Sequence, residues 1–222
     1  MFMNELVWRE FLLQILHNFP RVATEAFRRE HGALEWSADR DHFPAWREAR
    51  TGYPLVDSAM RWLNMTGWMH NRLRMIVAMF LTKDLLLNRP WGENRFRRKL
   101  LNGDLATDNG GCQRCAGTGA AVAAYFGIFN PVAQGKKYDP AVEFIRRWVP
   151  GLAPLPDGSI HEPCGGRSVG RRLDCPRPIV IHAEQRSRCL ARLESIRRRL
   201  IRTRADGLSG GQKEKGRTPQ AN

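Results

Sequence analysis

Apolar residues recur every three or four positions through the first 150 residues, the spacing of one face of an α-helix. No stretch alternates between apolar and polar residues as a half-buried strand does. Residues 68–87 are apolar on nearly every side, so this segment is expected to be buried. The fold class predicted is all-α with long loops, with helices at Asn4–Phe19, Pro54–Met65, Trp68–Leu87, Asn94–Leu101 and Ala141–Trp148.

The composition changes after residue 150. Paired glycines and prolines mark a loop, and the Ala183–Thr203 segment follows as a strongly basic helix with a thin apolar stripe. The end is rich in Gly, Lys and polar residues, which is typical of disorder. We expect residues 1–160 to form a partial helical domain, 161–204 to complete it with a loop and the basic helix, and 205–222 to be a disordered basic tail.

Charge favours a polyanionic partner. Lys and Arg number 36 against 22 acids, for a net charge of +14, which favours nucleic acid unless it only reflects an arginine-rich genome. The five cysteines all lie between Cys112 and Cys189, so a secreted disulfide framework is not expected. No signal segment or membrane-length apolar run is evident, and the expected compartment is the cytoplasm.

Two predicted helices each gather an aromatic ring, arginine and hydrogen-bonding side chains on one side. A ring can stack on a planar ligand while the ions bind its edges, although a surface ion pair on an amphipathic helix gives the same pattern. In the buried helix these polar groups are costly unless a ligand satisfies them. The residues are Glu5, Trp8 and Arg9 in "NELVWREF", and Trp68, Asn71, Arg72, Arg74 and Met75 in "TGWMHNRLRM".

Two further segments carry candidate chemistry. In "NGDLATDNGG", Asp104 and Asp108 can accept hydrogen bonds from a ribose or a heterocycle, or can be two solvent-facing turn residues. Next comes Cys112-x-x-Cys115, which supplies two of the four ligands that a zinc ion requires. No second such pair follows, and the βαβ context of a redox dithiol is missing. We therefore predict no metal site and no redox dithiol.

Taken in order, these segments resemble a known family. "NELVWREF", "ARTGYPLVDSAMRWLNMTGWMHNRLRMIVAMFLTKDLL", "NGDLATDNGG", "YFGIFNP", "KYDP" and "EFIRRWVPGL" resemble the C-terminal half of the FAD-binding domain of cryptochromes and DNA photolyases over roughly residues 3–190. The resemblance is greatest to bacterial cyclobutane pyrimidine dimer photolyases. It implies a helical domain with FAD, whose excited reduced flavin passes an electron to a pyrimidine dimer flipped out of DNA.

The resemblance also assigns roles to residues. Those implied in catalysis are Glu5, Trp8, Met75 and Asp108, with Trp8 stacking on the flipped dimer. Those implied in cofactor binding are Arg9, Asn71, Arg74, Asn102, Gly103, Asp104 and Asp108. Those implied in DNA binding are Glu5, Trp8, Arg9, Asn71, Arg72 and Gln134.

Several positions depart from the family pattern. Asn102 replaces the usual Asp, and Asp108 replaces the Asn of bacterial repair enzymes, so the resemblance implies an acid beside the flavin that could deliver a proton. In the family, a chain of three tryptophans reduces FAD, and some of these rings are replaced here. Further along the chain, Cys164 and Cys175 also stand where the family has aromatic residues. We expect a degenerate relay at Cys112 and Arg89, with Trp36 as the outer member and Trp91 as a nearby substitute.

Residue 1 lies almost on the first family motif, so the antenna domain and the first half of the helical domain are expected to be missing. The chain alone is then expected to purify without stoichiometric FAD and without an antenna chromophore. The implied enzyme is a deoxyribodipyrimidine photo-lyase. Its expected partner is DNA that contains pyrimidine dimers, and no membrane association is expected. The chain is expected to be a monomer or to depend on the missing N-terminal half. The alternatives are a non-catalytic basic DNA-binding module and a cryptochrome-like photoreceptor.

Overall fold

The computed structural model describes residues 2–37, 41–120, 127–163 and 176–210. Every regular element in these residues is helical, which confirms the all-α prediction. Short 3-10 turns lie at Pro20–Ala23, Arg29–Ala33 and Pro150–Leu152. The α-helices are α1 (Phe2–Asn18), α2 (His42–Arg47), α3 (Pro54–Thr66), α4 (Asn71–Met79), α5 (Arg89–Lys99), α6 (Leu105–Ala116), α7 (Pro131–Tyr138), α8 (Glu143–Trp148), α9 (Asp157–Ile160) and α10 (His182–Gly210).

Helix α3 is the centre of the core and is fixed at both ends. Pro54 occupies the first turn, where a missing backbone N–H costs nothing. The buried Asp57 carboxylate accepts hydrogen bonds from the backbone N–H groups of Thr51 (2.8 Å) and Gly52 (3.0 Å), which shapes the entry to the helix. Gly67 ends it in the left-handed conformation, at φ 69°.

Gly52 is predicted to be the glycine least able to accept a side chain. Its φ is +76°, and a Cβ there would lie 2.5 Å from backbone atoms of Arg177 and Pro178. Gly52→Ala should therefore destabilise the protein by on the order of 2 kcal/mol or more in urea unfolding. Gly158→Ala, where a Cβ meets nothing within 4 Å, is the matched control and should change stability by less than about 1 kcal/mol. Equal effects of the two substitutions would contradict this interpretation.

The buried helix predicted at residues 68–87 is divided in two. Helix α4 begins at Asn71, where the His70 ring accepts a hydrogen bond from Arg72 N–H, and it passes into a π-helical turn at Phe80–Asp84. Residues 76–87 are buried, as expected. The π turn lets the chain place Lys83 and Asp84 inside the protein, where Asp84 meets His182 of α10 at 2.5 Å.

Three other predictions of secondary structure are corrected. The helix predicted from residue 94 begins at Arg89, because Pro90 is favourable in a first turn. Helices α6 and α7 are not predicted by the pattern, since glycines conceal their periodicity, but tertiary packing stabilises them. Helix α10 also includes residues 204–210, most of which the composition assigns to the tail, whereas residues 211–222 lie outside the described part of the chain.

Helix α1 packs mainly on α6, and most of its apolar side chains remain exposed. The contact is close at Gly110, where a Cβ would lie 2.3 Å from the Leu12 side chain. Met3 and Val7 are 68% and 64% exposed, and Trp8 is 40% exposed. Despite these apolar runs, the helices within the described ranges include none with the length and hydropathy needed to span a membrane.

Candidate functional site

Helix α6 forms the floor of the candidate site. Asp104 caps its first turn, with Oδ1 accepting a hydrogen bond from Thr107 N–H at 2.9 Å. One turn later, Asp108 points inward and is only 7% exposed. The interpretation of the two acids as solvent-facing turn residues is therefore wrong, because the segment is helical and the second acid is buried between α6 and its neighbours.

A polar cluster surrounds Asp108. The Arg74 guanidinium donates to the Met69 carbonyl and to Asn102 Oδ1, both at 2.9 Å. Burial lowers the pKa of Arg74, and the charges of Asp108 and Asp104 oppose this by attraction. A Cβ on Gly103 would lie 3.2 Å from Asp108 Oδ2. The cluster is thus held together by one arginine and leaves little room for a side chain at residue 103.

The Asp108 carboxyl lacks part of its solvation. Its Oδ2 atom is buried and has no hydrogen-bond partner within the described residues. Desolvation raises the pKa of Asp108 to about 6, against the attraction of Arg74. A buried oxygen without a partner is costly, and functional sites are a common place to find one. Asp108 is therefore poised to change its protonation state near neutral pH.

This raised pKa predicts a pH-dependent effect of Asp108→Asn. The folded state favours the neutral acid, so the stability from this group is fully present below about pH 4 and is lost as pH rises through about 6. The amide stays neutral throughout. Relative to the wild type, Asp108→Asn should gain about 2 kcal/mol between pH 4 and pH 8, measured by urea unfolding. A difference that stays constant with pH would show that Asp108 does not titrate as proposed.

Helices α1 and α6 together hold the second part of the site. The Arg114 guanidinium lies 4.8 Å from the centre of the Trp8 ring, within the range of a cation–π contact. Its Nε is buried without a partner among the described residues. Glu5 Oε2 lies 3.5 Å from Asn71 Nδ2, which brings α1 and α4 together. The sequence reasoning missed Arg114, although it lies beside Gln113 in the same glycine-rich segment.

The remaining predicted residues are distributed along α4, α7 and α1. The Met75 carbonyl lies 3.8 Å from the Cys115 thiol, so Met75 borders α6. The Arg72 guanidinium lies 5.1 Å from the Tyr138 ring of α7, and Gln134 on the same helix has a buried Oε1 that no described residue satisfies. Arg9 is exposed on α1 and makes no hydrogen bond or ion pair with any described residue.

The predicted relay positions do not form one row of aromatic rings. Trp36 and Arg89 line a common cavity, and Arg89 forms a buried ion pair with Glu93. Trp91 packs instead on Phe43, with ring centres 5.2 Å apart. Cys164 and Cys175 lie outside the described residues. Among the residues that the structure describes, an ion pair rather than a second ring thus lies beside Trp36.

A buried polar network, missed at the sequence level, connects α5, α6 and the segment after α1. Glu93 accepts a hydrogen bond from Asn109 at 3.2 Å, and Asn109 accepts one from Gln113 at 3.0 Å. Gln113 also donates to the carbonyls of Val22 and Glu25. The spacing of Asn109 and Gln113, about one helical turn, is the sequence feature that indicates a hydrogen bond between their side chains. The network ties α6 to α5 and to the segment after α1.

Cys112 and Cys115 are both buried free thiols. Burial raises the pKa of Cys115 to about 12 and raises that of Cys112 well above its ordinary value. Both thiols are therefore protonated at neutral pH, which makes them poor nucleophiles and poor metal ligands. Within the described ranges, His, Cys, Asp and Glu form no group of three or more able to hold a metal ion.

Comparison with known proteins identifies the family. The family model described as the FAD-binding domain of DNA photolyase matches residues 2–195. The chain belongs to this family. The resemblance seen in the sequence motifs is thereby confirmed, and the helices α1 to α10 described above are its helical domain as this chain builds it.

Relatives and solved structures agree with this assignment. The Escherichia coli protein named deoxyribodipyrimidine photo-lyase is 48% identical over 198 residues, 88% of this chain and 42% of that protein. A class III photolyase from Agrobacterium tumefaciens has a TM-score of 0.84 at 39% identity, covering 89% of this chain and 42% of that one. An archaeal photolyase from Sulfolobus tokodaii, solved with two FAD molecules, has a TM-score of 0.81 at 38% identity, covering 87% and 44%. The chain therefore spans less than half the length of these relatives.

The polar groups around α6 fit the cofactor that defines the family. Asp108 Oδ2 is a buried acceptor that is unsatisfied within the described residues, and FAD offers donors to it. Asn102, Asp104 and Arg74 add further hydrogen-bonding groups around the same helix start. These four side chains are the ones that would hold FAD, whereas Arg114 lies in the last turn of α6, beside Trp8.

Proposed function

We propose that this chain forms the FAD- and DNA-facing part of a light-driven enzyme that splits pyrimidine dimers in DNA, a carbon–carbon lyase. The observation that carries the proposal is the Asp108 site, where an unpartnered buried carboxyl oxygen lies beside Arg74 and Asn102 on a helix of the family's FAD-binding domain. The whole enzyme's activity is carried over from relatives of which this chain spans about 42%. A cytoplasmic location is part of the proposal.

The chain's own side chains supply binding and proton control. When bound, FAD supplies light absorption and one-electron transfer. Trp8, 40% exposed and held by Arg114, offers a face on which a flipped base stacks. Glu5, which lies beside Asn71, would hydrogen-bond a base edge. Asp108, whose pKa burial raises to about 6, would hold or release a proton at the bound flavin.

Two groups of basic residues are proposed to bind the DNA backbone. The first lies on α4 and α7, where Arg72 stacks near Tyr138 and Lys137 lies 5.3 Å from the same ring. The second is the outer side of α10, where Arg186 and Arg188 are exposed and take part in no ion pair with the described residues. Contacts of this kind bind phosphates without reading the sequence.

Binding to DNA should therefore depend on salt, with a contribution from α10. The double substitution of Arg186→Gln and Arg188→Gln should weaken binding to all sequences alike. It should also lower the slope of log affinity against log salt by about 1 for each phosphate that an arginine no longer neutralises. Arg50→Gln, which removes one charge from an exposed arginine paired with Glu48, is the control and should leave the slope unchanged. If the double substitution on α10 leaves the salt slope unchanged, this helix does not belong to the proposed DNA surface.

Cofactor binding is tested by titrating the chain with FAD and following the quenching of flavin fluorescence. Asn102→Ala and Asp104→Ala should each weaken binding by about fivefold or more. The first removes a neutral hydrogen bond to FAD, and the second removes a charge-assisted one. Asp157→Ala on α9 removes an exposed acid that is paired with Arg146 and should have no effect. Equal affinities for all variants would mean that FAD does not bind at the start of α6. If the chain alone does not bind FAD, the same titration is made in the presence of the N-terminal part of a relative.

A further inference from the structure

A cavity of about 400 Å³ lies between the segment after α1 and the start of α5. It is separate from the Asp108 cluster and from Trp8, none of which lines it. Its size is within the range of cavities that hold small ligands. The lining residues that carry the argument are Thr24, Arg29, His31, Trp36, Arg89 and Thr118.

Hydrogen bonds hold the cavity wall in place before any ligand arrives. The Gln113 side chain donates to the Val22 carbonyl at 3.0 Å and accepts from Phe27 N–H at 2.9 Å. Arg28 N–H donates to the Thr118 carbonyl at 3.2 Å. The wall is therefore tied to α6 and to the segment after it, so a ligand would bind without first ordering a loop.

Trp36 gives the cavity a flat aromatic surface. It packs against the apolar cluster that contains Leu34 and Leu193, and it remains half-buried. Trp36 also lines the cavity. An indole held on one side and open on another is a stacking surface for a planar ring.

The charges around the cavity favour an anion. Arg29 is exposed and has no ion pair with the described residues. The Arg89 guanidinium is fixed by Glu93 and donates to the Glu25 carbonyl at 2.8 Å. Glu25, the acid among the described lining residues, lies 3.6 Å from Arg21 outside the cavity lining. Among the described lining residues, Arg29 is thus the cation left for a ligand.

Hydroxyl and imidazole groups complete the lining. The exposed Thr24 donates its hydroxyl proton to the backbone carbonyl of Arg21, so its lone pairs can accept hydrogen bonds from a ligand. Thr118 is buried and donates to the Gln113 carbonyl, which fixes the wall. His31 Nδ1 lies 2.8 Å from the Gly117 carbonyl and so carries the proton of that bond. We propose that this cavity binds a nucleoside monophosphate, with its base on Trp36, a sugar hydroxyl on Thr24 and its phosphate at Arg29.

The test is isothermal titration calorimetry of the chain with AMP, compared with adenosine and with inorganic phosphate. AMP should bind with 1:1 stoichiometry and at least about fivefold more tightly than either control, because only AMP uses both the ring and the cation. Trp36→Leu should weaken AMP binding by about fivefold or more, because it removes the stacking surface. Arg29→Gln should weaken AMP but not adenosine.

The controls separate this cavity from other sites. Arg50→Gln removes an exposed charge elsewhere and should leave AMP affinity unchanged. Because FAD contains an AMP unit, AMP that binds equally to the wild type, Trp36→Leu and Arg29→Gln occupies another site, and the proposal fails. Adenosine that binds as tightly as AMP, or no AMP binding at millimolar concentration, also overturns it. Arg29→Gln alters an exposed side chain, so it decides the outcome even if Trp36→Leu does not fold.

Discussion

Joined to the N-terminal part of the Escherichia coli relative and loaded with FAD, this chain is expected to photoreduce its flavin at least about a hundredfold more slowly than that relative does. Such a factor corresponds to roughly 3 kcal/mol in activation free energy. The reason is the chemistry at the two positions that the family resemblance assigns to the relay. The Cys112 thiol is buried and protonated because burial raises its pKa, and the Arg89 guanidinium is bound to Glu93 and cannot be oxidised.

Restoring the rings should restore the rate. Cys112→Trp combined with Arg89→Trp is expected to recover most of the photoreduction, followed by flavin absorbance under visible light with an external thiol as reductant. Arg89→Trp removes the cation that neutralises buried Glu93, so the pair is also made with Glu93→Gln. Cys112→Phe with Arg89→Phe is the control, since it fills the same positions with rings that are harder to oxidise.

A normal photoreduction rate in the unmodified fusion would overturn this expectation. Either the alignment of Cys112 and Arg89 with the relay would be wrong, or another donor would have replaced them. Trp91, the nearby substitute in the proposed relay, packs against Phe43 with ring centres 5.2 Å apart and is then the first donor to replace.

Trp8→Ala is expected to lower the preference for dimer-containing over intact DNA by about five- to 150-fold, the equivalent of about 1–3 kcal/mol of stacking. Trp8 is 40% exposed on α1, and Arg114 lies 4.8 Å from its ring on the α6 side. Removing the indole removes the surface on which a flipped base would stack. The measurement is competition between the two DNAs at one fixed salt concentration, because backbone contacts vary with salt.

Two further variants make the Trp8 result specific. Trp8→Phe keeps a ring and should retain most of the preference. Leu13→Ala, which truncates a residue of similar exposure on the same helix, should retain all of it. If Trp8→Ala binds both DNAs as the wild type does, Trp8 does not contact the dimer, and α1 has a different role.

The sequence contained the fold class and most helices but not the interior of the site. Periodicity located α1, α3 and α4 because each has a long apolar face. It failed for α6, whose Gly110 and Gly111 are typical of a turn, although Gly110 is required for the close approach of Leu12. Local propensity cannot register a contact between two helices that are about 100 residues apart.

The burial and protonation of the site residues could not be predicted from the sequence either. Asp108 is a candidate from its motif, but its buried, unpartnered oxygen and raised pKa depend on how α4 and α6 pack. Arg114 was missed because nothing near it in sequence indicates that Trp8 lies 4.8 Å away. The Arg89–Glu93 pair follows helical spacing, yet its burial follows only from the tertiary fold.

The most direct test of the proposed function is light-driven repair with the relay bypassed. The same fusion, with its flavin reduced chemically by dithionite, is mixed with an oligonucleotide that carries a thymine dimer and is illuminated. The loss of the dimer is followed by the recovery of absorbance at about 260 nm. We predict repair in the light and none in darkness, because the residues proposed to act in repair, Glu5, Trp8 and Met75, are separate from the proposed relay positions Cys112 and Arg89. Reduced flavin and bound DNA without any loss of dimers in the light would contradict the proposal that this chain serves a photolyase.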